Sequence, residues 1–490
     1  MSQQQAQQKN KKAKTAITPT REDDFPEWYQ QVIKAADMAE NAPVRGCMII
    51  KPYGYAIWEL IQKIFDGMIK DHGVENAYFP LLIPLSYISK EAEHVDGFAK
   101  ECAVVTHHRL EEAEGGGLKP AGKLAEPLII RPTSETIIGE SFAKWINSYR
   151  DLPMKLNQWC NVMRWEMRPR LFLRTSEFLW QEGHNAFATA EEAEEDARKM
   201  VEAYRKFNED YLAIPLIVGE KTAEERFPGA VATYTIEAIM QDGKALQAAT
   251  SHNLGQTFSK SADISFQDQD GQNKYAWTTS WGSTTRLIGA LVMVHADDDG
   301  LVLPPKIAPQ QVVILPISRG EENAELIAFC QKIEADLRKK GIRVKLDNSD
   351  AKTPDKMWKT IKQGVPVRVE IGQREMDEGK LTFVPRDLGR DGKQLVDADQ
   401  FVDDIESILD RIQQSIFDRA KTRMLGHIKT TESLAELRQI FEAGEAVQVL
   451  IPTDLTKEPE YEAIQNDFSV TSRCMPFAEN GEKVLVGKAY

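Results

Sequence analysis

The sequence predicts a protein of several domains, with a large α+β domain first and two smaller α/β domains after it. A chain of 490 residues is long enough for about three domains. The proline-rich stretch LPPKIAP at residues 303–309 marks the main boundary, and beyond it strands and helices alternate, as in a small α/β domain. We expect a disordered tail at residues 1–20, a first domain at 21–303, and further domains at 309–399 and 400–490.

Composition narrows the class of protein. The chain is 42% hydrophobic and 28% charged, as in ordinary globular proteins, and no apolar run approaches the ~18 residues that span a membrane. The Gln/Lys-rich start lacks the apolar segment of a secretory signal. Five cysteines are scattered singly, which argues against a disulfide framework or a closed zinc site and favours a reducing, cytoplasmic location.

A net charge of −14 is unfavourable for a nucleic-acid partner, because Lys and Arg make the phosphate contacts. Local basic patches, however, control contact energies at physiological salt. Any RNA-binding surface must therefore be local.

In the first domain, apolar spacing predicts an amphipathic helix at residues 25–41 and a long helix at 55–72, with Gly73 at its C-terminal cap. An apolar run with two prolines, 77–84, predicts a strand at an edge or interface. A long helix feeding such a strand is compatible both with a dimer interface and with an ordinary core pair.

Further along, the charged segment 110–124 with its three glycines predicts a loop. That loop is not a phosphate-binding one, since no Lys-Ser/Thr pair follows it. The pattern then predicts a helix at 191–212 and strands at 262–281 with a hairpin turn at Asp270 and Gly271.

Beyond the proline-rich boundary the elements are strand 312–315, helix 321–340, strand 342–346, helix 354–363, and strands 365–371 and 381–385. A long helix at 398–424 leads into the final segment. Alternating strands and helices predict a largely parallel sheet.

The most informative segment holds Arg164 and Glu166, then FLRTSEF at residues 172–178 with Arg174. Two arginines and a glutamate on apolar strands are costly to bury without anionic partners. Guanidinium groups bind phosphate oxygens through paired hydrogen bonds, and the Phe178 ring can stack on a base. An ion-pair network between strands explains the same residues.

A second segment, TTSWGSTTRLIG at residues 278–289, sets Arg286 among small residues before an apolar stretch. This pattern predicts an arginine at the mouth of a helix packed under a sheet. Alone it does not discriminate between functions.

Together these segments resemble the three motifs of the class II aminoacyl-tRNA synthetases. The helix and strand ending near Pro80 resemble motif 1, residues 164–178 motif 2, and 280–294 motif 3. RPTSE at 131–135, KLNQWCN at 155–161, EFLWQEGH at 177–184 and TSHNLGQ at 250–256 are similar to the proline-specific members of archaeal and eukaryotic type. The likeness runs from about Phe25 to Tyr490.

The resemblance implies an α+β catalytic domain with an antiparallel sheet of about six to seven strands, an α/β anticodon-binding domain and a small α/β C-terminal domain. It implies ATP- and Mg²⁺-dependent activation of L-proline to prolyl-adenylate, transfer to tRNA(Pro), and a homodimer. The absence of a glycine-rich phosphate loop agrees with this fold.

The resemblance also implies site residues, with Arg164 and Arg286 as the catalytic pair. The proline site would comprise Thr133, Glu135, Arg164, Trp180, His184 and His252. The ATP site would comprise Arg164, Glu166, Arg174, Thr175, Phe178, Gln247, Thr250, Thr284 and Arg286, with Mg²⁺ near Gln247. For His184 the alternative is a hydrogen-bonded core residue. No strong base is required, because the proline carboxylate is already ionised.

The basic, aromatic helix predicted at 354–363 carries the anticodon candidates Lys356, Trp358 and Lys362. Lysines there would contact phosphates and the tryptophan a base. A solvated helix face with a core tryptophan is the alternative.

The chain departs from the family pattern in two places. Residues 178–280 are too few for the editing domain of many bacterial members, so we expect no hydrolysis of mischarged alanine by this chain. In the final segment, Cys474 is the one plausible zinc ligand left, so we expect no zinc. The terminal Tyr490 of the family is kept, and the sequence does not show whether it reaches the active site.

Two other functions compete with this interpretation. A threonine-specific class II synthetase would need a Cys/His zinc constellation, which the sequence lacks. A catalytically silent paralogue with an RNA-binding or regulatory role would be expected to lose motif arginines or the anticodon domain, and Arg164, Arg174, Arg286 and both C-terminal domains are present.

Overall fold

The computed structural model describes residues 15–90, 101–318 and 323–490. These residues form two compact units. One contains residues 39–294 and 413–490, and the other contains the N-terminal segment up to Met38 together with residues 295–412.

The strands, numbered along the chain, lie in both units. They are β1 Ala39–Asn41, β2 Met48–Ile50, β3 Glu75–Asn76, β4 Leu82–Pro84, β5 Ala103–Glu112, β6 Leu118–Ile130, β7 Met154–Met163, β8 Glu177–Phe187, β9 Ile217–Glu220, β10 Ala232–Ile239, β11 Ala245–Gly255, β12 Ser265–Gln267, β13 Asn273–Tyr275, β14 Trp277–Thr284, β15 Val312–Pro316, β16 Val344–Leu346, β17 Val367–Ile371, β18 Lys380–Pro385, β19 Gln394–Asp397, β20 Ile428–Thr430, β21 Gln448–Pro452, β22 Thr471–Pro476 and β23 Lys483–Gly487.

The α-helices are numbered in the same way. They are α1 Phe25–Ala35, α2 Pro52–Asp71, α3 Leu85–Lys90, α4 Glu135–Trp145, α5 Ala190–Asp210, α6 Thr257–Ser261, α7 Arg286–His295, α8 Ala324–Lys339, α9 Thr353–Lys362, α10 Gln373–Asp377, α11 Ala398–Gly426, α12 Leu434–Glu442 and α13 Pro459–Phe468.

The larger unit is built on an eleven-stranded sheet in the order β20-β21-β23-β22-β9-β10-β11-β14-β8-β7-β3. From β9 to β7 each neighbouring pair is antiparallel, which confirms the predicted antiparallel catalytic sheet. The four strands at the other end come from the final segment of the chain, so the sheet is wider than the sequence predicted.

Helix α5 packs across the sheet, and its sequence explains why. Thr189 and Glu192 form a capping box at its start, which satisfies two orphan backbone N–H groups. Its buried face includes Ala197, Met200 and Tyr204 at helical spacing, and it contacts β11 and β14. This long helix confirms the one predicted at 191–212.

Three predictions in the first domain need correction. The helix predicted at 25–41 ends at Ala35, because Asp37 adopts a left-handed conformation (φ 57°) and the chain continues into β1. The strand predicted at 77–84 shortens to β4. The charged segment 110–124 is not a loop: β5 and β6 pair as a long hairpin whose glycines, with positive φ, form the tip at residues 115–117. Glycine adopts that conformation without strain.

The smaller unit contains a five-stranded sheet in the order β16-β15-β17-β18-β19. Every element predicted here is present. The sheet, however, is mixed rather than largely parallel: β15 pairs in parallel with β16 and β17, while β18 pairs antiparallel with β17 and β19. The antiparallel pairs arise because β17 and β18, like β18 and β19, are joined without a helix long enough for a crossover.

The predicted disordered tail extends too far. Residues 1–14 lie outside the described residues, and so do residues 321–322 of the predicted helix 321–340. Residues 15–20 are part of the smaller unit: Ile17 is buried, and its N–H donates to the carbonyl oxygen of Asp298 at 2.8 Å.

Candidate active site

The predicted substrate residues converge on one cavity of about 440 Å³ in the larger unit. Fourteen residues were named from the sequence for proline or ATP, and all of them line it. They are Thr133, Glu135, Arg164, Glu166, Arg174, Thr175, Phe178, Trp180, His184, Gln247, Thr250, His252, Thr284 and Arg286. The sheet and the loop between β7 and β8 therefore bring together residues separated by about 150 positions in the chain.

Strand register explains this convergence. Side chains two apart on a strand share a face, so Trp180, Glu182 and His184 of β8 project to the same side. Strand β14 lies between β8 and β11, and its Gly282 pairs with Glu182 on one side and with Thr250 on the other. A Cβ on Gly282 would lie 3.3 Å from the carbonyl oxygen of Gln181. The glycine thus leaves the centre of the cavity floor open.

A buried carboxylate and imidazole form one end of the cavity. Glu182 is 2% exposed and accepts hydrogen bonds from Ser134 Oγ (2.5 Å), Gln158 Nε2 (2.6 Å) and His184 Nε2 (2.9 Å). Burial raises the pKa of the Glu182 carboxyl, but the His184, Ser134 and Gln158 hydrogen bonds outweigh it and leave that pKa below its usual value.

Burial lowers the pKa of His184, but the hydrogen bond and charge of Glu182 more than offset it, so the pKa of the imidazole is raised. The two residues therefore form an ion pair at the base of the cavity. His184 lines the cavity and is also hydrogen-bonded to Glu182. A position in the site and a role as a hydrogen-bonded buried residue are therefore compatible for this histidine.

The second histidine is neutral. His252 Nδ1 lies 3.0 Å from Thr233 Oγ1, and its ring packs against Phe227 at 4.7 Å between centroids. Burial, then the charges of His184 and Lys221, lower the pKa of His252 to about 3. A neutral imidazole and an aromatic ring make this wall apolar, which suits an aliphatic ligand.

The loop before α4 brings an acid to the same end. Thr133 Oγ1 donates to Glu135, the first residue of α4, and Ser134 between them is held by Glu182. Arg164 Nε donates to the carbonyl oxygen of Pro132 at 2.9 Å. This end of the cavity therefore presents both a carboxylate, Glu135, and a guanidinium, Arg164.

Arg164 connects the two ends of the cavity. Its guanidinium carbon lies 5.7 Å from the Phe178 ring and 5.6 Å from the Trp180 ring, as in cation–π contacts. Burial lowers the pKa of Arg164, and the charges of Glu135, Glu101 and Glu182 oppose that shift.

The other end is rich in arginine. Arg286 begins helix α7 and donates to the backbone carbonyls of Leu173 (3.3 Å) and Gln247 (3.4 Å). Burial first, then the neighbouring Arg174 and Arg164, lower the pKa of Arg286 to about 10. Like charges held this close are stabilised by a polyanion.

Several cavity residues were missed by the sequence reasoning. They are Glu101, Phe172, Glu182, Lys221, Phe227, Thr233 and Ser280. Glu182 had a usable signal, since it alternates with Trp180 and His184 along the strand and so shares their face. Lys221 and Phe227 had none, because strand pairing between distant segments places them here.

The anticodon candidates lie on α9 of the smaller unit. Lys356 is 8% exposed, and its ammonium donates to the backbone carbonyls of Asp347 and Ser349. Trp358 is 39% exposed, and Lys362 is half-buried. Lys356 is thus committed to a neighbouring loop, while Trp358 presents its ring to solvent.

The terminal tyrosine packs beside the start of β11, where Ala245 lies two residues before the cavity residue Gln247. Tyr490 Oη donates to Asp242 at 2.6 Å, and its N–H donates to the carbonyl oxygen of Ala245 at 3.0 Å. Its ring lies 5.7 Å from the guanidinium carbon of Arg170, in the loop between β7 and β8.

Two features of the described ranges concern metal ions and membranes. Within them, no three His, Cys, Asp or Glu residues are grouped so as to hold a metal ion. Cys474 is buried, and burial raises the pKa of its thiol. No helix in these ranges is long and apolar enough to cross a membrane.

Comparison with known families defines the class of protein. The tRNA synthetase class II core domain (G, H, P, S and T) matches residues 121–295, and the anticodon binding domain matches residues 311–408. The first match contains most of the sheet and all fourteen of the substrate residues, from Thr133 to Arg286 near its end. The fold and the site are those of a class II aminoacyl-tRNA synthetase.

Comparison with whole proteins identifies the amino acid. The proline–tRNA ligases of Bdellovibrio bacteriovorus and Protochlamydia amoebophila are each 54% identical to this chain, with 97% of this chain and 97% of the relative covered. The crystal structure of prolyl-tRNA synthetase from Cryptosporidium parvum, complexed with halofuginone and AMPPNP, is 37% identical with a TM-score of 0.88, covering 97% of this chain and 99% of that one. The chain belongs to the prolyl-tRNA synthetases, the proline–tRNA ligases.

Proposed function

We propose that the cavity binds L-proline at its Glu182 end and ATP at its arginine end, and joins them as prolyl-adenylate. The observation that carries this proposal is that one cavity holds a carboxylate next to an apolar wall and, beyond Arg164, a cluster of arginines. Proline needs the first surface and a nucleotide triphosphate needs the second.

For proline, Glu135 and Thr133 receive the secondary ammonium, because a cation leaving water needs a charged acceptor. The ring lies against Trp180, His184 and His252. Glu182 positions this wall: it holds His184 directly and the Thr133–Glu135 loop through Ser134.

For ATP, Arg174 and Arg286 contact the phosphates, with Arg286 toward the γ-phosphate, and Phe178 stacks on the adenine. Glu166 reads the adenine edge. Side chains of Thr175, Gln247, Thr250 and Thr284 complete the site. In support, the relative from Cryptosporidium parvum was solved with the ATP analogue AMPPNP.

In the first step the proline carboxylate attacks the α-phosphorus in line, and pyrophosphate leaves. Arg164 contacts both the carboxylate and the α-phosphate, so it aligns them and balances the charge that develops. In the second step the terminal hydroxyl of the tRNA attacks the adenylate carbonyl and AMP leaves. No side chain has to act as a strong base in the first step.

Mg²⁺ neutralises phosphate charge when it accompanies ATP. Gln247 has an amide oxygen of the hard type that Mg²⁺ accepts, whereas the carboxylate opposite it, Glu237, is engaged by Lys221 and Arg473. This donor set suits an ion that is held mainly by ATP itself.

The remaining parts of the proposal concern partners. The unit that contains residues 311–408 binds the anticodon of tRNA(Pro), with Trp358 and Lys362 as contacts. We keep the domain boundaries at 303, 309 and 399 as part of this proposal. Helix α2 and strand β4 form a homodimer interface, which sedimentation would test, and the protein acts in the cytoplasm.

Two expected absences also belong to the proposal. The chain holds no zinc, so metal analysis that finds stoichiometric zinc would refute this point. The chain does not hydrolyse alanyl-tRNA(Pro), so release of tRNA from that species by the purified protein would refute the second.

The test is amino-acid-dependent ATP–pyrophosphate exchange with proline, threonine, alanine and cysteine side by side. We expect strong exchange with proline that Arg164→Ala abolishes. Exchange that survives this substitution would remove the cavity as the site of activation, and exchange with threonine alone would reassign the substrate.

A further inference from the structure

The C-terminal segment is joined to the catalytic sheet at two places. Strand β22 pairs antiparallel with β9, with Met475 opposite Glu220 and Pro476 opposite Gly219. At the second place the N–H of Ala245 donates to the carbonyl of Lys488 at 2.9 Å. The segment therefore continues the sheet that carries the cavity.

Both junctions require glycine on the catalytic side. A Cβ on Gly219 would lie 2.3 Å from the carbonyl oxygen of Met475, and one on Gly243 would lie 2.0 Å from that of Ala446. Gly243 also has φ +74°. Such close backbone approach excludes any side chain, so the local sequence is adapted to this contact.

A buried charge cluster lies at the first junction. Glu237 of β10 is fully buried and accepts from Lys221 Nζ at 2.8 Å and from Arg473 Nη2 at 3.0 Å. Lys221 is 3% and Arg473 8% exposed. Thr235 donates to the same carboxylate at 3.1 Å, and Arg473 also donates to Thr471 at 2.9 Å. Two cations on one carboxylate leave a buried net positive charge.

This cluster adjoins the arginine end of the cavity. Glu237 pairs with Gln247 across β10 and β11, at a point where the register shifts. The backbone carbonyl of Gln247 accepts from Arg286, and Lys221 itself lines the cavity. A displacement of Glu237 is therefore transmitted to Lys221 directly and to Gln247 and Arg286 through the strand pair.

We propose that Arg473 of the C-terminal segment is a positioning residue for the activation reaction, because through Glu237 it fixes Lys221 and the β10–β11 pair that carries the ATP end of the cavity. The proposal rests on the placement of ATP at that end. We expect the nucleotide to be affected more than proline, because Glu237 pairs directly with Gln247, whereas His252 of the proline wall lies further along the same strand, opposite Thr233. Glu135, Glu182 and His184 form no part of the cluster.

The substitution that breaks the cluster is Arg473→Met, which keeps an unbranched stem, is shorter than arginine and removes the charge. A misplacement of ~1 Å at a reacting centre costs ~100-fold. We expect kcat/KM for ATP in proline-dependent pyrophosphate exchange to fall about 10- to 100-fold, with KM for proline within about twofold of wild type. Arg473→Lys, which restores one cation to Glu237, recovers most of the loss.

The matched control is Arg438→Met in the same segment. Arg438 also pairs with a carboxylate, Asp467, at 2.8 Å, but this pair lies at the surface. We expect wild-type constants for both substrates. Arg286→Met reports separately on the placement of ATP, because it removes an arginine of the cavity itself.

Five outcomes decide the matter. An ATP-specific loss in Arg473→Met, absent from Arg438→Met and recovered in Arg473→Lys, supports the proposal. Constants equal to those of Arg438→Met overturn it, as does a loss shared equally by ATP and proline, which would mean a structural role alone. If Arg473→Met does not fold, the same split is measured on Glu237→Gln, and an unchanged kcat/KM for ATP overturns it. If Arg286→Met leaves the KM for ATP unchanged, the placement of ATP fails instead.

Discussion

The two ends of the cavity differ in how their charged side chains are balanced. At the end that we propose for proline, Glu182 is engaged within the protein, because Ser134, Gln158 and His184 all donate to it. At the ATP end, Arg286 donates to two backbone carbonyls, and its pKa is lowered by burial and by the nearby Arg174 and Arg164.

This difference teaches where each substrate contributes binding energy. The aliphatic carbons of the proline ring need a wall that is rigid before they bind, and internal hydrogen bonds supply that rigidity. A triphosphate carries about four negative charges, so its binding relieves the repulsion among the arginines. We therefore expect substitutions at the proline end to act through positioning, and those at the ATP end through charge.

The largest expected effect is at the ATP end. Arg286→Met removes a preorganised positive charge from the leaving pyrophosphate, so the rate of proline-dependent exchange should fall roughly 10²- to 10³-fold. Pyrophosphate exchange kinetics measure the loss. Arg150→Met, at an exposed arginine that packs on Tyr149, should retain the wild-type rate. A loss below about fivefold in Arg286→Met would break the contrast between the two ends.

The next effect is at the proline end. Glu182→Gln removes the charge that holds His184 protonated and weakens the hydrogen bond to Ser134. Hydrogen bonds to charged groups contribute about 1.5–3 kcal/mol, so KM for proline should rise about 10- to 100-fold, with KM for ATP unchanged. Exchange kinetics at varied proline measure it.

Glu177→Gln is the matched control for that substitution, since Glu177 lies at the exposed start of the same strand. A rise in both Michaelis constants in Glu182→Gln would show that the carboxylate supports the sheet in general and not the proline wall.

A smaller effect is expected for a substitution in the smaller unit, outside the cavity. Trp358→Ala removes an exposed ring, and stacking on a base contributes about 1–3 kcal/mol. The KM for tRNA(Pro) in aminoacylation should rise about tenfold, while exchange measured without tRNA keeps its rate. Trp358→Phe should restore part of the affinity. An unchanged KM for tRNA would make Trp358 an ordinary surface residue.

The last effect is on stability against pH and not on a kinetic constant. The folded-state pKa of His252 is about 3, below the ~6.5 of an unfolded histidine. The unfolded chain therefore binds a proton that the folded chain does not, and stability is lost as pH falls below about 6.5 toward 3, by up to ~1.4 kcal/mol per pH unit.

His252→Gln removes this term. Urea unfolding at pH 7 and pH 5 should show a smaller acid loss in the variant than in wild type. The His184–Glu182 pair has the opposite sign for its histidine, because a raised imidazole pKa gives stability that is lost as pH rises. Equal acid losses in wild type and His252→Gln would contradict a neutral, buried His252.

Local spacing was sufficient for α2 and for the strands and helices of residues 312–424. The fourteen cavity residues were named instead from the resemblance of continuous segments to the class II motifs. Glycine-rich residues 115–117 misled the prediction, because a turn at a hairpin tip and an open loop share the same composition. The long strands on either side are held by cross-strand pairing, which local propensity does not report.

Long-range contacts account for the other failures. Lys221 and Arg473 both donate to Glu237, although Glu237 and Arg473 are 236 residues apart in the chain. The pairing of β9 with β22 that produces this contact leaves no local trace.

The measurement that tests the division of the cavity most directly is a crossed kinetic comparison of Glu135→Gln and Arg174→Met. Both variants are assayed by pyrophosphate exchange with proline varied at saturating ATP and with ATP varied at saturating proline. Our account predicts that Glu135→Gln raises KM for proline alone and that Arg174→Met raises KM for ATP alone. If both variants weakened the same substrate, or each weakened both equally, the assignment of one end to proline and the other to ATP would be wrong.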